Sequence, residues 1–105
     1  VKPMINVTRI ENTEQIEIDL HINKLVEDYK NLNNSEMLGI QISHFRNKLE
    51  SAIANKLKRV VFIHGIGNGT LKYELRRILD QEYDYLNYQD ASFKEYGFGA
   101  TMVIL

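Results

Sequence analysis

The stretch Arg59-Val60-Val61-Phe62-Ile63-His64-Gly65-Ile66-Gly67-Asn68-Gly69-Thr70-Leu71-Lys72 decides the fold. Its first five residues pass from Arg59, the end of a basic stretch, into the continuous apolar run Val60 to Ile63. That is the pattern of a central strand buried on both faces. Three alternating glycines then break the chain, and Gly69 or Thr70 opens a helix whose apolar stripe is Leu71, Leu75, Ile78 and Leu79. A buried strand, a glycine turn and a helix in direct succession belong to an α/β domain with ligand chemistry at the strand's carboxyl end.

Upstream, Asn34 or Ser35 is the expected N-cap of a long helix. Its stripe of Leu38, Ile42, Phe45, Leu49, Ile53 and Leu57 is spaced for packing on a sheet. Gln15 to Ile22 alternates, with Ile16, Ile18, Leu20 and Ile22 on one face and Glu17, Asp19 and His21 on the other, so it reads as a half-buried strand. A short helix fits within Ile22 to Leu32, and an extra strand fits Met4 to Ile10, with a turn from Glu11 to Glu14. Downstream, Tyr83 to Tyr88 is expected as a third strand, Ala91 to Gly99 as an aromatic- and glycine-rich loop, and Ala100 to Leu105 as the last strand. Strand, helix, strand, helix, strand, strand implies parallel pairing through right-handed crossovers. Two helices and a polar outer face on the first strand give a two-layer α/β sandwich with a mixed four-stranded sheet. The domain is expected over 15–105, with 1–14 as an extension and 22–33 as an insertion.

At 105 residues the chain holds one domain. It has no cysteine, which excludes disulfides, thiolate metal sites and a cysteine nucleophile. No apolar run approaches the roughly 20 residues that span a bilayer, so no membrane association is expected and the cytoplasm is the expected compartment. The start, Val1-Lys2-Pro3, suggests a fragment of a larger protein. A net charge of -1 gives no global grip on nucleic acid, but 56–77 carries six Lys or Arg against Glu74 alone. That stretch is either a local basic face or ordinary solvated surface.

Several residues could carry chemistry. Gly65, Gly67 and Gly69 permit positive φ, and their amides can converge with the helix N-terminus on a phosphate. The same glycines could equally serve a tight turn. No Gly-Lys-Ser/Thr follows, so this is not a Walker loop, and the third glycine falls one position short of the dinucleotide fingerprint. His64 and His21 lie near the carboxyl ends of neighbouring strands, with Asp19 on the face of His21. Two imidazoles and a carboxylate could do acid–base work, or merely cap strand ends. Lys72 and Arg76 stand clear of the apolar stripe and suit phosphate contact, or a solvated face. Phe93, Lys94, Tyr96 and Phe98 have the composition of a stacking platform for single-stranded nucleic acid, or of aromatics folded back on the core. His44 reads as structural.

Three blocks carry a family resemblance. Ile18-Asp19-Leu20-His21 resembles the Leu-Asp-Leu-His-Gly motif of the Smr (small MutS-related) domain. His64 to Lys72 resembles its His-Gly-x-Gly-x-Gly-x-Leu-Arg motif, and Gly97 to Val103 resembles its closing Gly-x-Gly-Ala-Thr segment. The blocks stand in the family's order, and the chain looks most like the C-terminal Smr domains of larger Bacteroidetes proteins. The resemblance implies a fold like the C-terminal domain of a bacterial translation initiation factor, and binding of DNA or RNA. It also implies possession of a family site used by some members for endonucleolytic nicking and by others in DNA repair or recombination, RNA processing or ribosome association. Carried over, Asp19, His21 and His64 are candidate catalytic residues. Gly65, Gly67, Gly69, Lys72, Arg76 and Lys94 are candidate phosphate-binding residues. No cofactor is implied for binding; Mg2+ enters only if the site cleaves. The other reading is a non-catalytic module that docks a ribosomal or protein partner. Three departures bear on cleavage more than on binding: Ile22 replaces the motif glycine, Lys72 replaces the arginine and its bidentate fork, and the insertion could cover or extend the site.

Overall fold

The computed structural model describes the backbone of residues 9–12 and all of residues 14–105. Its central strand is the one the glycine stretch announces. This strand, β3 (Arg59–Ile63), is flanked by β2 (Gln15–Asp19) and β5 (Ala100–Ile104) in the sheet order β1-β2-β3-β5-β4. The outer strands are β1 (Arg9–Asn12) and β4 (Asn87–Asp90). β2 pairs parallel to β3, whereas β5 runs antiparallel to both β3 and β4, and β1 antiparallel to β2. The expected mixed four-stranded sheet is therefore β2-β3-β5-β4, and β1 adds a fifth strand. Most of the expected strand over Met4 to Ile10 lies outside the described residues.

The long helix α2 (Asn34–Ala54) and α3 (Thr70–Glu82) share one face of the sheet, and the core lies between the layers. Every residue of the α3 stripe is buried, as are Phe45 and Leu49 of α2 and Val60 and Phe62 of β3. Phe45 meets Phe62 edge to face at 4.8 Å. Arg46 and Glu82 tie the two helices together through paired hydrogen bonds, the longer of them 2.9 Å. On the opposite face Val61, Ala91 and Ala100 form a smaller cluster with Tyr96 and Met102. Tyr96 belongs to a four-residue helix, α4 (Phe93–Tyr96), set within the expected loop. The architecture is thus the two-layer sandwich, with the second face covered at one end.

Several boundaries differ from the periodicity. α2 ends at Ala54 with Asn55 as its C-cap, so Leu57 of the expected stripe lies beyond the helix, and β1 takes in Glu11 and Asn12 of the expected turn. The first strand ends at Asp19 rather than Ile22. Leu20 N still donates to Ile63 O at 2.8 Å, but His21 N turns to the Asp19 carboxylate at 2.9 Å, and Ile22 begins the short helix α1 (Ile22–Leu25). An aspartate side chain that captures the amide two residues on ends a strand as a turn does. The cap of α2 is Asn33, in a capping box with Glu36, rather than Asn34 or Ser35. Tyr83 to Tyr88 is not the strand. α3 continues to Glu82, Tyr83 caps it and is buried with its hydroxyl on Glu50, and the strand starts at Asn87.

Candidate nucleic-acid site

β2, β3 and β4 run in one direction and end on the rim where β5 begins. Alternation and these shared ends bring the sequence candidates together there in two groups, one on each side of Gly65.

The first group is Asp19 and His21. His21 Nδ1 donates to Asp19 Oδ1 at 2.7 Å, and the same oxygen accepts the His21 amide. A carboxylate only accepts, so Nδ1 carries a proton, and in the neutral imidazole the lone pair is on Nε2. The His21 side chain is 50% exposed, and its Nε2 lies 2.7 Å from where a Cβ on Gly65 would sit. Gly65 also has φ +79°. Both the imidazole and the backbone therefore require glycine at this position.

The second group surrounds His64, which is buried. Its Nδ1 lies 2.8 Å from Gly65 O and its Nε2 2.9 Å from Thr101 Oγ1. The carbonyl fixes the proton on Nδ1, so Thr101 donates to Nε2. Thr101 in turn accepts from Arg76 Nη2 at 3.0 Å. The result is a chain of donors running Arg76, Thr101, His64, Gly65, in which both nitrogens of His64 are engaged. Burial pushes the His64 imidazole below its ordinary pKa. The bond to Gly65 O opposes that shift, and Lys72 and Arg76 reinforce it.

Asp90, at the end of β4, gathers both candidate cations of α3. Lys72 Nζ lies 3.3 Å and Arg76 Nη2 2.6 Å from its Oδ1. The two cations hold the Asp90 carboxyl below the usual range, Arg76 contributing most. Lys72 also lies 5.8 Å from the centroid of Phe98, and Arg76 5.1 Å from that of Tyr88. Lys94 is exposed on α4 and joins neither group.

Gly67 and Gly69 hold positive φ with open space around them, and Gly69 caps α3. Thr70 N is taken by Asn68 Oδ1 at 3.0 Å, while the remaining first-turn amides of α3 have no intrahelical acceptor. The base of the loop is pinned from β5, since the amides of His64 and Gly65 both donate to Gly99 O, at 3.0 and 2.9 Å. Beside the loop a cavity of about 310 Å³ opens between α1, α2 and α3, with Ile22, Gln41, Asn68 and Thr70 among its walls.

A model of the Smr domain family matches residues 42–105. The chain belongs to the Smr domain family. The match takes in the glycine loop, α3 and the Gly97-to-Val103 segment, which are the parts that build the His64 group and seat the loop. Smr domains generally bind nucleic acids, and the family includes nicking endonucleases. No curated protein and no solved structure matches the chain.

Sequence reasoning did not assign Thr101, Asp90 or Glu17, which accepts a hydrogen bond from Tyr96. Thr101 was within reach, because it closes the Gly-x-Gly-Ala-Thr block and pairs in register with Phe62, two residues before His64. Nothing in the sequence singles out Asp90 from the other exposed acids. Among the described residues no three His, Cys, Asp or Glu side chains form a group able to hold a metal ion. Asp19 Oδ1 is already occupied twice by His21. The described residues thus form no all-protein cage for a cation.

Proposed function

We propose that this Smr domain binds the backbone of DNA or RNA at the Gly65–Lys72 loop and cleaves a phosphodiester there with His21 as the general base. One observation carries the reading: the Asp19–His21 pair directs an accessible imidazole nitrogen at the glycine loop. The loop and the open first turn of α3 offer amide donors and positive dipole to a phosphate. Lys72 and Arg76 add charge once Asp90 releases them. His21 Nε2 takes a proton from the attacking water or hydroxyl, whose oxygen forms a bond to phosphorus. The bond to the leaving oxygen breaks, and the proton on Nε2 passes to that oxygen. Asp19 holds the ring's orientation and stabilises its protonated form, as a carboxylate does behind a catalytic histidine. His64, with both nitrogens engaged and its charged form disfavoured, positions the loop.

The test is nicking of supercoiled plasmid and of structured RNA. His21→Ala and Asp19→Asn should each lower the rate by about 10²- to 10⁴-fold, with binding retained. Unchanged cleavage in both variants would sink the mechanism.

One observation favours a second reading, a non-catalytic module that docks a ribosomal or protein partner: Lys72 and Arg76 are both spent on Asp90 within the domain. No binding to DNA or RNA even at low salt, or binding indifferent to Lys72→Ala and Arg76→Ala, would favour it over the first.

A further inference from the structure

The segment after β4 holds three aromatic residues with two different fates. Tyr96 folds onto the sheet, within the cluster of Val61 and Ala100, and bonds to Glu17. Phe93 and Phe98 do not: their side chains remain 64% and 60% exposed. The two rings meet edge to face, centroids 4.9 Å apart, so each is held by the other rather than by the core. A cation stands beside them, since Lys72 Nζ approaches the Phe98 ring. The pair is also fixed to the site. Phe98 precedes Gly99, whose carbonyl accepts the amides of His64 and Gly65, and a Cβ on Gly99 would press on Tyr96 O at 3.2 Å.

We infer that Phe93 and Phe98 form a seat for one unpaired nucleobase, next to the phosphate held by Lys72 and the glycine loop. This rests on the nucleic-acid reading of the loop and narrows its substrate. An aromatic face beside a cation binds a base by stacking while the cation meets the adjoining phosphate, and every base has such a face. A base within a continuous duplex is already stacked on both sides and cannot take the seat. The favoured ligand class is therefore nucleic acid with an unpaired base: a single strand, a bulge or an overhang. A protein partner would use the same rings without needing a neighbouring phosphate. Lys72, whose Nζ stands over the Phe98 ring 5.8 Å from its centroid, favours the nucleotide.

The experiment is fluorescence anisotropy at low salt with three oligonucleotides of shared sequence: a single strand, a blunt duplex, and the duplex with one unpaired base. Both phenylalanines are exposed, so Phe93→Ala and Phe98→Ala should leave the melting temperature unchanged. Phe98→Ala should weaken binding to the single strand and the bulged duplex by about five- to a hundredfold, the loss of one stacked base. The blunt duplex should stay within about twofold, and Phe98→Trp should restore binding where Phe98→Leu does not. Equal losses on all three probes, or none on any, would overturn the seat and leave the rings to a protein surface. If wild-type protein binds no probe, the nucleic-acid reading itself fails; if it binds in a salt-dependent way and the phenylalanine variants match it, only the seat fails.

Discussion

Gly65 lies between two histidines that the fold treats in opposite ways. His21 rests its ring against the space a side chain would need, whereas His64 donates to the Gly65 carbonyl from within the core. Gly65→Ala should therefore do two things. It should cost about 1–2 kcal/mol for an alanine at positive φ, and it should push His21 aside and lower cleavage. Gly67→Ala, also at positive φ but with open space around it, should cost similar stability and leave His21 in place. Thermal melts of both variants set against their nicking rates separate the two effects. His64 makes the pH prediction. Burial holds its folded pKa below the ordinary value of 6.5. As pH falls through about 6.5 the unfolded chain takes up a proton that the folded domain refuses. The contribution of His64 is then fully present above that pH and is lost below it, down towards the folded pKa. His44 is also pushed down, by burial and by Lys48, and adds the same sign. The melting temperature should thus decline from pH 7 to pH 5. His64→Gln should be less stable at pH 7 by about 1–3 kcal/mol and should show a shallower decline. An equally steep decline in His64→Gln would assign the whole effect to other groups.

Between elements, the contact that most governs the site is the one from β4 to α3. A single carboxylate oxygen of Asp90 receives both Lys72 and Arg76. Asp90→Asn should tighten nucleic-acid binding and steepen its salt dependence by about one unit of log–log slope, with little change in melting temperature because the Asp90 carboxylate itself is exposed to solvent. The cap of α2 is separable from the site. Asn33→Ala removes one arm of the capping box and should cost about 1 kcal/mol, read as a lower melting temperature with unaltered binding. At this scale the sequence is most legible where burial enforces a period. The stripe of α3, that of α2 up to Ile53, and the run Arg59–Ile63 read correctly, because one face of each helix and both faces of the strand must leave water. The same logic failed at Ile22, where the Asp19 side chain ended the strand, and at Tyr83, where a buried aromatic that looked like the start of a strand is the end of a helix. Motif spacing named Asp19, His21 and His64 as candidates, and the fold brings them to one rim. Only coordinates distinguish an imidazole with an accessible nitrogen from one bonded on both sides, and Asp90 is paired by folding alone.

Across the whole molecule, stability should follow the sheet order. β3 has bonded neighbours on both sides, one of them β5, which is bonded on both sides in turn. β4 is an edge strand of four residues, mostly exposed. Hydrogen exchange should therefore be slowest for the amides of β3 and β5 and faster by orders of magnitude in β4 and α1. Comparable protection in β4 and β5 would contradict this ranking. The position of β5 also bears on how the chain is made. Ala100–Ile104 comes after every other described element, yet it fills the middle of the sheet. While the chain is being synthesised, β3 can pair with β2 early, but its other edge stays bare until β5 emerges. That edge carries the apolar run Val60 to Ile63, a template for any strand that meets it. A pause in translation before Ala100 would leave this edge uncovered on a half-built domain, and crowded nascent chains would then risk pairing with one another instead of with their own final strand.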